Sequence, residues 1–180
     1  MHYATIKPRD IANGPGVRVS LFVSGCTHHC PGCFNEIAWD FSYGEPFDEA
    51  VETKLLELLA PDFIKGLSLL GGEPFEPQNQ RALLPFLKKV RERYPKKTVW
   101  CYSGYTLEQL RGEQPSRARC EVTDEMLSLI NVLVDGRFVE EKKNIRLRFR
   151  GSENQRLIDL DKTRERGEIV TWDDGETRYK

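Results

Sequence analysis

Short apolar runs alternate with longer amphipathic stretches along most of the chain. Four apolar runs predict buried strands at Arg18–Ser24, Gly66–Gly71, Thr98–Tyr102 and Asn131–Asp135, and the first of them is rich in β-branched and aromatic residues. A further run, Arg146–Arg150, alternates polar and apolar residues, which predicts a half-exposed fifth strand.

Apolar residues recur at helical spacing between these strands. This periodicity predicts helices at Asp48–Leu59, Gln80–Tyr94, Thr106–Leu110 and Thr123–Ile130, the last of them capped by Thr123. Strands that alternate with helices favour parallel βα units joined by right-handed crossovers. Five strands are too few for a closed eight-unit barrel, which takes about 250 residues. We therefore expect an α/β fold, an incomplete, open parallel βα barrel.

The C-terminal part of the chain differs in composition from the rest. Residues 1–160 carry the predicted strands and helices and are expected to form one domain. Residues 161–180 form a charged extension in which only Ile169, Val170 and Trp172 are candidates for an apolar anchor. This extension is either a part of the same domain or a tail.

Composition and charge narrow the possible partners. Of the 180 residues, 39% are hydrophobic and 31% charged, and the formal net charge of −1 comes from interspersed residues of both signs. This balance favours neither nucleic acid nor an anionic membrane surface as a partner. No apolar run approaches the roughly 20 residues that span a bilayer. The first residues contain no apolar signal core, so we expect a cytoplasmic protein.

Three cysteines stand close together in a C-x3-C-x2-C pattern. They are Cys26, Cys30 and Cys33, and no fourth cysteine lies near them in the sequence. Clustered cysteines in a reducing compartment more often bind a metal than form disulfides. Three thiolates leave one coordination position open, as a reactive metal centre requires. Zinc is the competing interpretation, since His28 or His29 would complete a closed site and make the chain a zinc-stabilised interaction module.

Four polar or glycine-rich loops follow the predicted strands: the cysteine loop, Gly71-Gly72-Glu73, Ser103-Gly104 and Asp135-Gly136. Ligands of parallel βα folds bind at the carboxyl ends of the strands, so these loops predict one site. A [4Fe-4S] cluster on three cysteines has one iron without a protein ligand, and the amino and carboxylate groups of S-adenosylmethionine can chelate it. Glycines allow the backbone to approach such a ligand, and Glu73 can pair with its ammonium group.

The C-x3-C-x2-C spacing and the Gly-Gly-Glu-Pro strand end together resemble the radical S-adenosylmethionine superfamily. The surrounding sequence resembles, more narrowly, the family of enzymes that activate anaerobic ribonucleoside-triphosphate reductase. The matching segments run from about Ile11 to Leu160, and they are Asn13-Gly-Pro-Gly-Val-Arg18, Ser24-Gly-Cys26, Cys30-Pro-Gly-Cys-Phe-Asn35, Ser103-Gly-Tyr105, Asn131-Val-Leu-Val-Asp-Gly-Arg-Phe138 and Arg150-Gly-Ser-Glu-Asn-Gln-Arg156.

This resemblance implies an activity and a partner. An electron from the cluster cleaves S-adenosylmethionine to a 5′-deoxyadenosyl radical, which removes a hydrogen atom from a glycine of the reductase and leaves a glycyl radical there. A donor such as flavodoxin or ferredoxin supplies the electron. Two related activities stay open, namely a pyruvate formate-lyase-type activase and another small radical S-adenosylmethionine enzyme that forms rings in small molecules.

The resemblance also implies roles for particular residues. Cys26, Cys30 and Cys33 are the cluster ligands. The residues matching positions that bind S-adenosylmethionine are Gly32, Cys33, Phe34, Gly72 and Glu73, together with Asp135 and Arg137 for its methionyl carboxylate. Gly32 stands where many members of the superfamily have an aromatic residue, so the adenine contact is assigned to Phe34.

Overall fold

Residues 1–173 are described by a computed structural model, in which a seven-stranded open sheet carries the fold. Its strands are β1 (His2–Asp10), β2 (Val17–Val23), β3 (Glu45–Pro46), β4 (Ile64–Gly71), β5 (Thr98–Tyr102), β6 (Val132–Asp135) and β7 (Arg156–Asp159). The strand order across the sheet is β3-β1-β2-β4-β5-β6-β7. The expected α/β class and open sheet are therefore confirmed.

The sheet is mixed, which corrects the expectation of a wholly parallel one. Strands β2, β4, β5 and β6 run parallel to one another, while β1, β3 and β7 pair antiparallel at the two sides. The strand expected at Arg146–Arg150 was wrong, because this segment forms turns and the pairing begins at Arg156. Strand β1 was not predicted, since its polar residues and Pro8 give a weak strand pattern and it lies towards the edge of the sheet.

The helices are α1 (Glu49–Leu59), α2 (Pro77–Arg93), α3 (Leu107–Arg111), α4 (Thr123–Ser128) and α5 (Leu160–Arg166). Asp48 caps α1, since its side chain accepts a hydrogen bond from the Val51 amide. The expected cap on α4 was wrong. The Thr123 hydroxyl lies inside the first turn of that helix and donates instead to the buried Gln80 side chain, at 2.7 Å.

Two apolar clusters lie on opposite faces of the sheet. The larger one joins the sheet to the helices and includes Val19, Leu21, Leu69 and Leu133. The smaller one, on the other face, consists of Trp100, Val132, Val134 and Leu157, with Tyr102, Phe149 and Trp172 packed against it. Successive residues of a strand point to opposite faces, so each strand supplies both clusters.

The smaller face also buries the guanidinium of Arg18, which is fully enclosed. Arg18 donates to the Ser68 hydroxyl at 2.8 Å and to the Thr98 carbonyl at 2.9 Å. Burial lowers the pKa of this guanidinium to about 10. These bonds tie β2, β4 and β5 together below the carboxyl ends of the strands.

The C-terminal extension is partly built into the sheet. After α5 ends at Gly167, the chain runs back along β7, where the Asp159 amide donates to the Val170 carbonyl and the Trp172 amide donates to the Leu157 carbonyl. The apolar anchors expected at Ile169 and Trp172 do pack against the two clusters. Residues 174–180 of the extension lie outside the described part of the chain. Within residues 1–173, no helix has the length and apolar character needed to cross a bilayer.

Candidate functional site

A cavity of about 450 Å³ lies at the carboxyl ends of the parallel strands. The loops that follow β2, β4, β5 and β6 all contribute to its wall. It is lined there by Cys26, Cys30 and Cys33, by Gly71, Gly72 and Glu73, by Tyr102, Ser103 and Gly104, and by Gly136. Residues 143–151, which we call the roof segment, cover another side. The four loops expected to meet at one site therefore do so.

All three clustered cysteines face this cavity as free thiols. Cys26 and Cys30 are buried, and Cys33 is partly exposed. Burial, reinforced by the nearby carboxylates of Glu73 and Glu76, raises the pKa of the Cys26 thiol to about 12. A metal must therefore displace the proton when it binds there. Three thiols along one cavity wall suit a [4Fe-4S] cluster, in which each thiolate binds a different iron.

Residues at the N-terminal end of helix α2 hold the cysteine loop in place. Glu76 accepts hydrogen bonds from both the amide and the hydroxyl of Thr27, at 2.8 and 2.6 Å. The buried Asn79 side chain donates to the carbonyls of Ser24 and Glu73, which joins the loops after β2 and β4. The cysteine loop is thus fixed by side chains that come from outside it.

The two glycines after β4 permit a close approach of backbones. The Gly72 amide donates to the Val23 carbonyl at 2.7 Å, and the Glu73 amide donates to the Gly25 carbonyl at 2.8 Å. A Cβ atom at Gly72 would lie 2.5 Å from the Gly25 carbonyl oxygen, and Gly71 has a φ of +110°. Side chains at these positions would push the turn away from the cysteine loop.

Glu73 is buried beside this turn and joins three loops. Its Oε1 atom accepts from the Phe75 amide at 2.8 Å and the Ser103 hydroxyl at 3.0 Å. Its Oε2 atom accepts from the Gly104 amide at 2.7 Å and lies 3.0 Å from His28 Nε2. The carboxylate expected to pair with an ammonium group is therefore already surrounded by four donors of the chain, and its bonds brace the cavity wall.

The rings of the two histidines considered as zinc ligands contact other side chains. The His28 ring contacts Glu73 and packs 4.3 Å from the Tyr105 ring, while His29 stacks on Trp39 with ring centroids 4.5 Å apart. Among residues 1–173, no three side chains of the His, Cys, Asp and Glu types converge as ligands of one ion. The donor set of the zinc interpretation is thus not assembled in this part of the chain.

Asp135 and Arg137 do not reach the cavity, and Gly136 between them lines it instead. The buried Asp135 carboxylate accepts from the Leu107 amide at 2.8 Å and from Arg156 Nε at 2.9 Å. Arg137 is exposed and donates to the His28 carbonyl on the outer side of the cysteine loop. Both residues contact protein groups next to the site, and their expected contact with a ligand carboxylate stays a prediction.

Arg156 also forms a bidentate ion pair with Glu108, with bonds of 2.9 and 2.7 Å. This pair lowers the pKa of Glu108 from 4.5 to about 2. A carboxyl whose pKa is lower in the folded protein stabilises the fold above pH 4.5, and this contribution is lost as the pH falls towards 2.

Over that pH range, we expect the free energy of unfolding of the Glu108→Gln variant to fall less than that of the wild type, by about 1–2 kcal/mol. The difference is this small because the pair is partly exposed and therefore screened by solvent. Urea unfolding at pH 7 and at pH 2.5 measures the difference for both proteins. An equal loss in the two proteins would show that Glu108 does not cause this dependence.

The remaining predicted residues lie at the mouth of the cavity. Gly32 has a φ of +70° and packs under the Glu140 carboxylate. Phe34 lines the cavity but is 89% exposed, and Ile145 of the roof segment is 92% exposed. Two large apolar side chains therefore stand exposed at the opening, and we call this part of the surface the rim.

Two residues that shape the site, Glu76 and Asn79, were not predicted from the sequence. His28 and Ser103 belong to loops that were expected at the site, but their contacts with Glu73 were not predicted. Glu76 and Asn79 follow the Gly-Gly-Glu-Pro turn directly and fall on the first turn of α2. Their closeness to that turn was the available signal, because polar residues at the start of a helix after a parallel strand face the same edge of the sheet as the loop.

Comparison with known proteins agrees with this site. Residues 12–158 match the family model described as a 4Fe-4S single cluster domain. A protein of Pasteurella multocida is 45% identical over 157 residues, which cover 86% of this chain and 95% of the relative. A protein of Escherichia coli K12 is 44% identical, covering 86% and 96%, and one of enterobacteria phage T4 is 37% identical, covering 87% and 93%. All three relatives are described as anaerobic ribonucleoside-triphosphate reductase-activating proteins.

Proposed function

Since the chain belongs to the family of anaerobic ribonucleoside-triphosphate reductase-activating proteins, we propose that it generates a glycyl radical on such a reductase. The three cysteines would hold a [4Fe-4S] cluster, and one electron from it would cleave a C–S bond of S-adenosylmethionine to give methionine and a 5′-deoxyadenosyl radical. This radical would take a hydrogen atom from a glycine Cα, leaving 5′-deoxyadenosine and a glycyl radical. The observation that carries this proposal is that the three thiols of the C-x3-C-x2-C motif and the Gly71–Glu73 turn line one cavity.

The residues around the cavity divide into three roles. Cys26, Cys30 and Cys33 bind three irons and leave the fourth open to the cofactor. The backbone at Gly72, together with Gly32 and Phe34 at the mouth, contacts S-adenosylmethionine. Glu73 keeps the loops after β4 and β5 against the cysteine loop, which fixes the distance between cluster and cofactor. Residues 1–160 make up the incomplete radical S-adenosylmethionine barrel.

The open mouth of the cavity favours a protein as the substrate. Phe34 and Ile145 present large apolar side chains to solvent at the rim, and Ile37 beside the cysteine loop is 58% exposed. Such a surface is typical of a site that a partner covers. A reductase docked over this rim would deliver its glycine to the cavity and exclude water. A donor such as flavodoxin or ferredoxin would supply the electron.

Anaerobic reconstitution tests the proposal. The protein is loaded with iron and sulfide, reduced, and mixed with S-adenosylmethionine and the reductase. We expect about four irons per chain, release of 5′-deoxyadenosine and an EPR doublet on the reductase. Release of 5′-deoxyadenosine without a radical on the reductase, but with one on pyruvate formate-lyase, would favour the other activase. A colourless, zinc-bound protein would contradict the cluster itself.

The Ile145→Glu variant tests the rim. A charge at this exposed position is expected to raise the reductase concentration for half-maximal radical formation about tenfold, because it must be desolvated when the partner docks. Cleavage of S-adenosylmethionine without the reductase should not change. Phe63→Glu is the matched control, since Phe63 is also exposed but lies at the opposite end of β4. Equal effects of both substitutions would contradict docking at the rim.

A further inference from the structure

A second opening lies on the outer side of the cysteine loop. It is a groove of about 650 Å³ between this loop, the start of α3 and residues 115–117. His28 and Gly104 line both the groove and the cavity that holds the thiols, whereas the rim residues Phe34 and Ile145 do not line the groove. The His28 ring packs closely on Gly104, since a Cβ atom there would lie 2.5 Å from the ring. One layer of residues therefore separates the groove from the cavity.

Two exposed arginines give the groove a positive charge. Arg117 donates to the Thr27 carbonyl at 3.3 Å, and Arg137 donates to the His28 carbonyl at 2.5 Å. Both guanidiniums therefore lie against neighbouring peptide groups of the cysteine loop. A guanidinium has several N–H donors, so each arginine keeps donors for a further partner.

The two positive charges are not neutralised locally. Within residues 1–173 neither arginine forms an ion pair, and no Asp or Glu side chain lines the groove. Glu108 and Glu113, which flank groove residues in the sequence, pair with other arginines. Thr106 and Gln109 on the groove wall are neutral and bond to each other in the capping box of α3. The groove is thus basic, although the whole chain has a net charge of −1.

We infer that this groove docks the protein that supplies the electron, through carboxylates on the surface of that donor. The inference rests on the proposed function, in which each cleavage of S-adenosylmethionine consumes one electron. The reduced donor loses this electron to the cluster that the cysteines would hold, and neither a bond nor a proton is exchanged. An electron passes only between groups that lie close together, and a donor in the groove is one residue layer from the cavity. The reductase and the donor then use separate surfaces.

Arg117→Glu reverses one charge of the groove and leaves Arg137, for which a ligand contact is predicted, unchanged. With an acidic flavodoxin as the probe, we expect its dissociation constant for the reconstituted protein to rise about tenfold at low ionic strength. The rate of cluster reduction by limiting flavodoxin, followed by visible absorption, should fall by a similar factor. Added salt should weaken wild-type binding and narrow the difference, because it screens exposed charges.

Gln109→Glu is a second variant, which leaves the contacts of the cysteine loop in place. Gln109 is the N3 residue of a capping box, where glutamate serves as well as glutamine, so the fold is kept. The added carboxylate should raise the dissociation constant of flavodoxin about threefold. The matched control is Arg93→Glu, which makes the same charge change at an exposed position of the C-terminal end of α2. This control should bind flavodoxin as the wild type does.

The inference is overturned if flavodoxin does not reduce the wild-type cluster, if the two groove variants bind it like the wild type, or if Arg93→Glu weakens binding equally. If Arg117→Glu binds less iron than the wild type, Gln109→Glu alone decides. A rise in the reductase concentration for half-maximal radical formation, with flavodoxin binding unchanged, would assign the groove to the reductase instead. Failure of the wild-type protein to cleave S-adenosylmethionine with dithionite, which needs no docking site, is a different result and contradicts the proposed function.

Discussion

Replacing Cys30 by alanine is expected to abolish the cluster and all activity that depends on it. The Cys30 thiol faces the cavity between those of Cys26 and Cys33. Without it, an iron loses its protein ligand and the cluster has only two anchors. We expect iron content close to background after anaerobic reconstitution, and a fall in 5′-deoxyadenosine formation by about a hundredfold or more, since even changes beyond the ligand shell commonly cost 10- to 100-fold.

The control for this experiment is Cys120→Ala. Cys120 is a free cysteine far from the motif in sequence, and it does not line the cavity. This variant should bind the same amount of iron as the wild type and keep its visible absorption. Equal iron in the Cys30→Ala and wild-type proteins would exclude Cys30 as a ligand. Loss of iron in both variants would point to a general effect of cysteine replacement on reconstitution.

Replacing Glu73 by glutamine should lower the free energy of unfolding by about 2–4 kcal/mol. The wild-type carboxylate only accepts, and its oxygens face four donors from the loops after β2, β4 and β5. A glutamine amide keeps one oxygen and presents an NH2 group to the remaining donors. Two of the four donors then face the NH2 group, which cannot accept their hydrogen bonds. The residue is only 1% exposed, so water does not replace the lost acceptor. Chemical denaturation of the variant and the wild type measures the loss.

Ser103→Ala is the graded control for Glu73→Gln. It removes one of the four donors and leaves the carboxylate in place, so the expected loss is about 1 kcal/mol. The Glu73→Gln variant should also bind less iron, because His28 and the cysteine loop lose their attachment to the β5 end. If Glu73→Gln unfolds at the same denaturant concentration as the wild type, the hydrogen-bond network does not brace the site.

The parallel centre of the sheet was predictable because its strands carry a strong local signal. Strands β2 and β5 consist mostly of apolar residues, and the predicted bounds of both lie within one residue of the observed ones. Cys101 lies in the apolar run of β5, and its side chain is fully enclosed. The antiparallel sides were not predictable in this way. Pairing of β7 with β6 depends on a long-range register that Arg156 and Asp135 fix by an ion pair, and Arg146–Arg150 showed a clearer alternation than β7 itself.

In the candidate site, too, features with a local sequence signal were predicted and features that depend on distant residues were not. The cysteines and the Gly-Gly-Glu turn were recognised because their spacing reflects local chemistry, and the structure brings them to one cavity. Glu73, Asp135 and Arg137 also contact residues between 28 and 109 positions away in the sequence. A single sequence does not reveal such partners, so the loop contacts of these residues were not predicted.

The roof segment connects β6 to an antiparallel neighbour, so it does not need to carry the crossover helix of a parallel unit. It is attached chiefly through Gln155, which accepts from the Gly151 amide and donates to the Gly136 carbonyl, and through the contact of Phe149 with Trp100. Exposed positions such as Ile145 and Arg146 are therefore free to vary without altering the ladders or the thiols beneath. If the proposed docking holds, substitutions in this segment would change the choice of partner and leave the cysteine motif and the sheet intact.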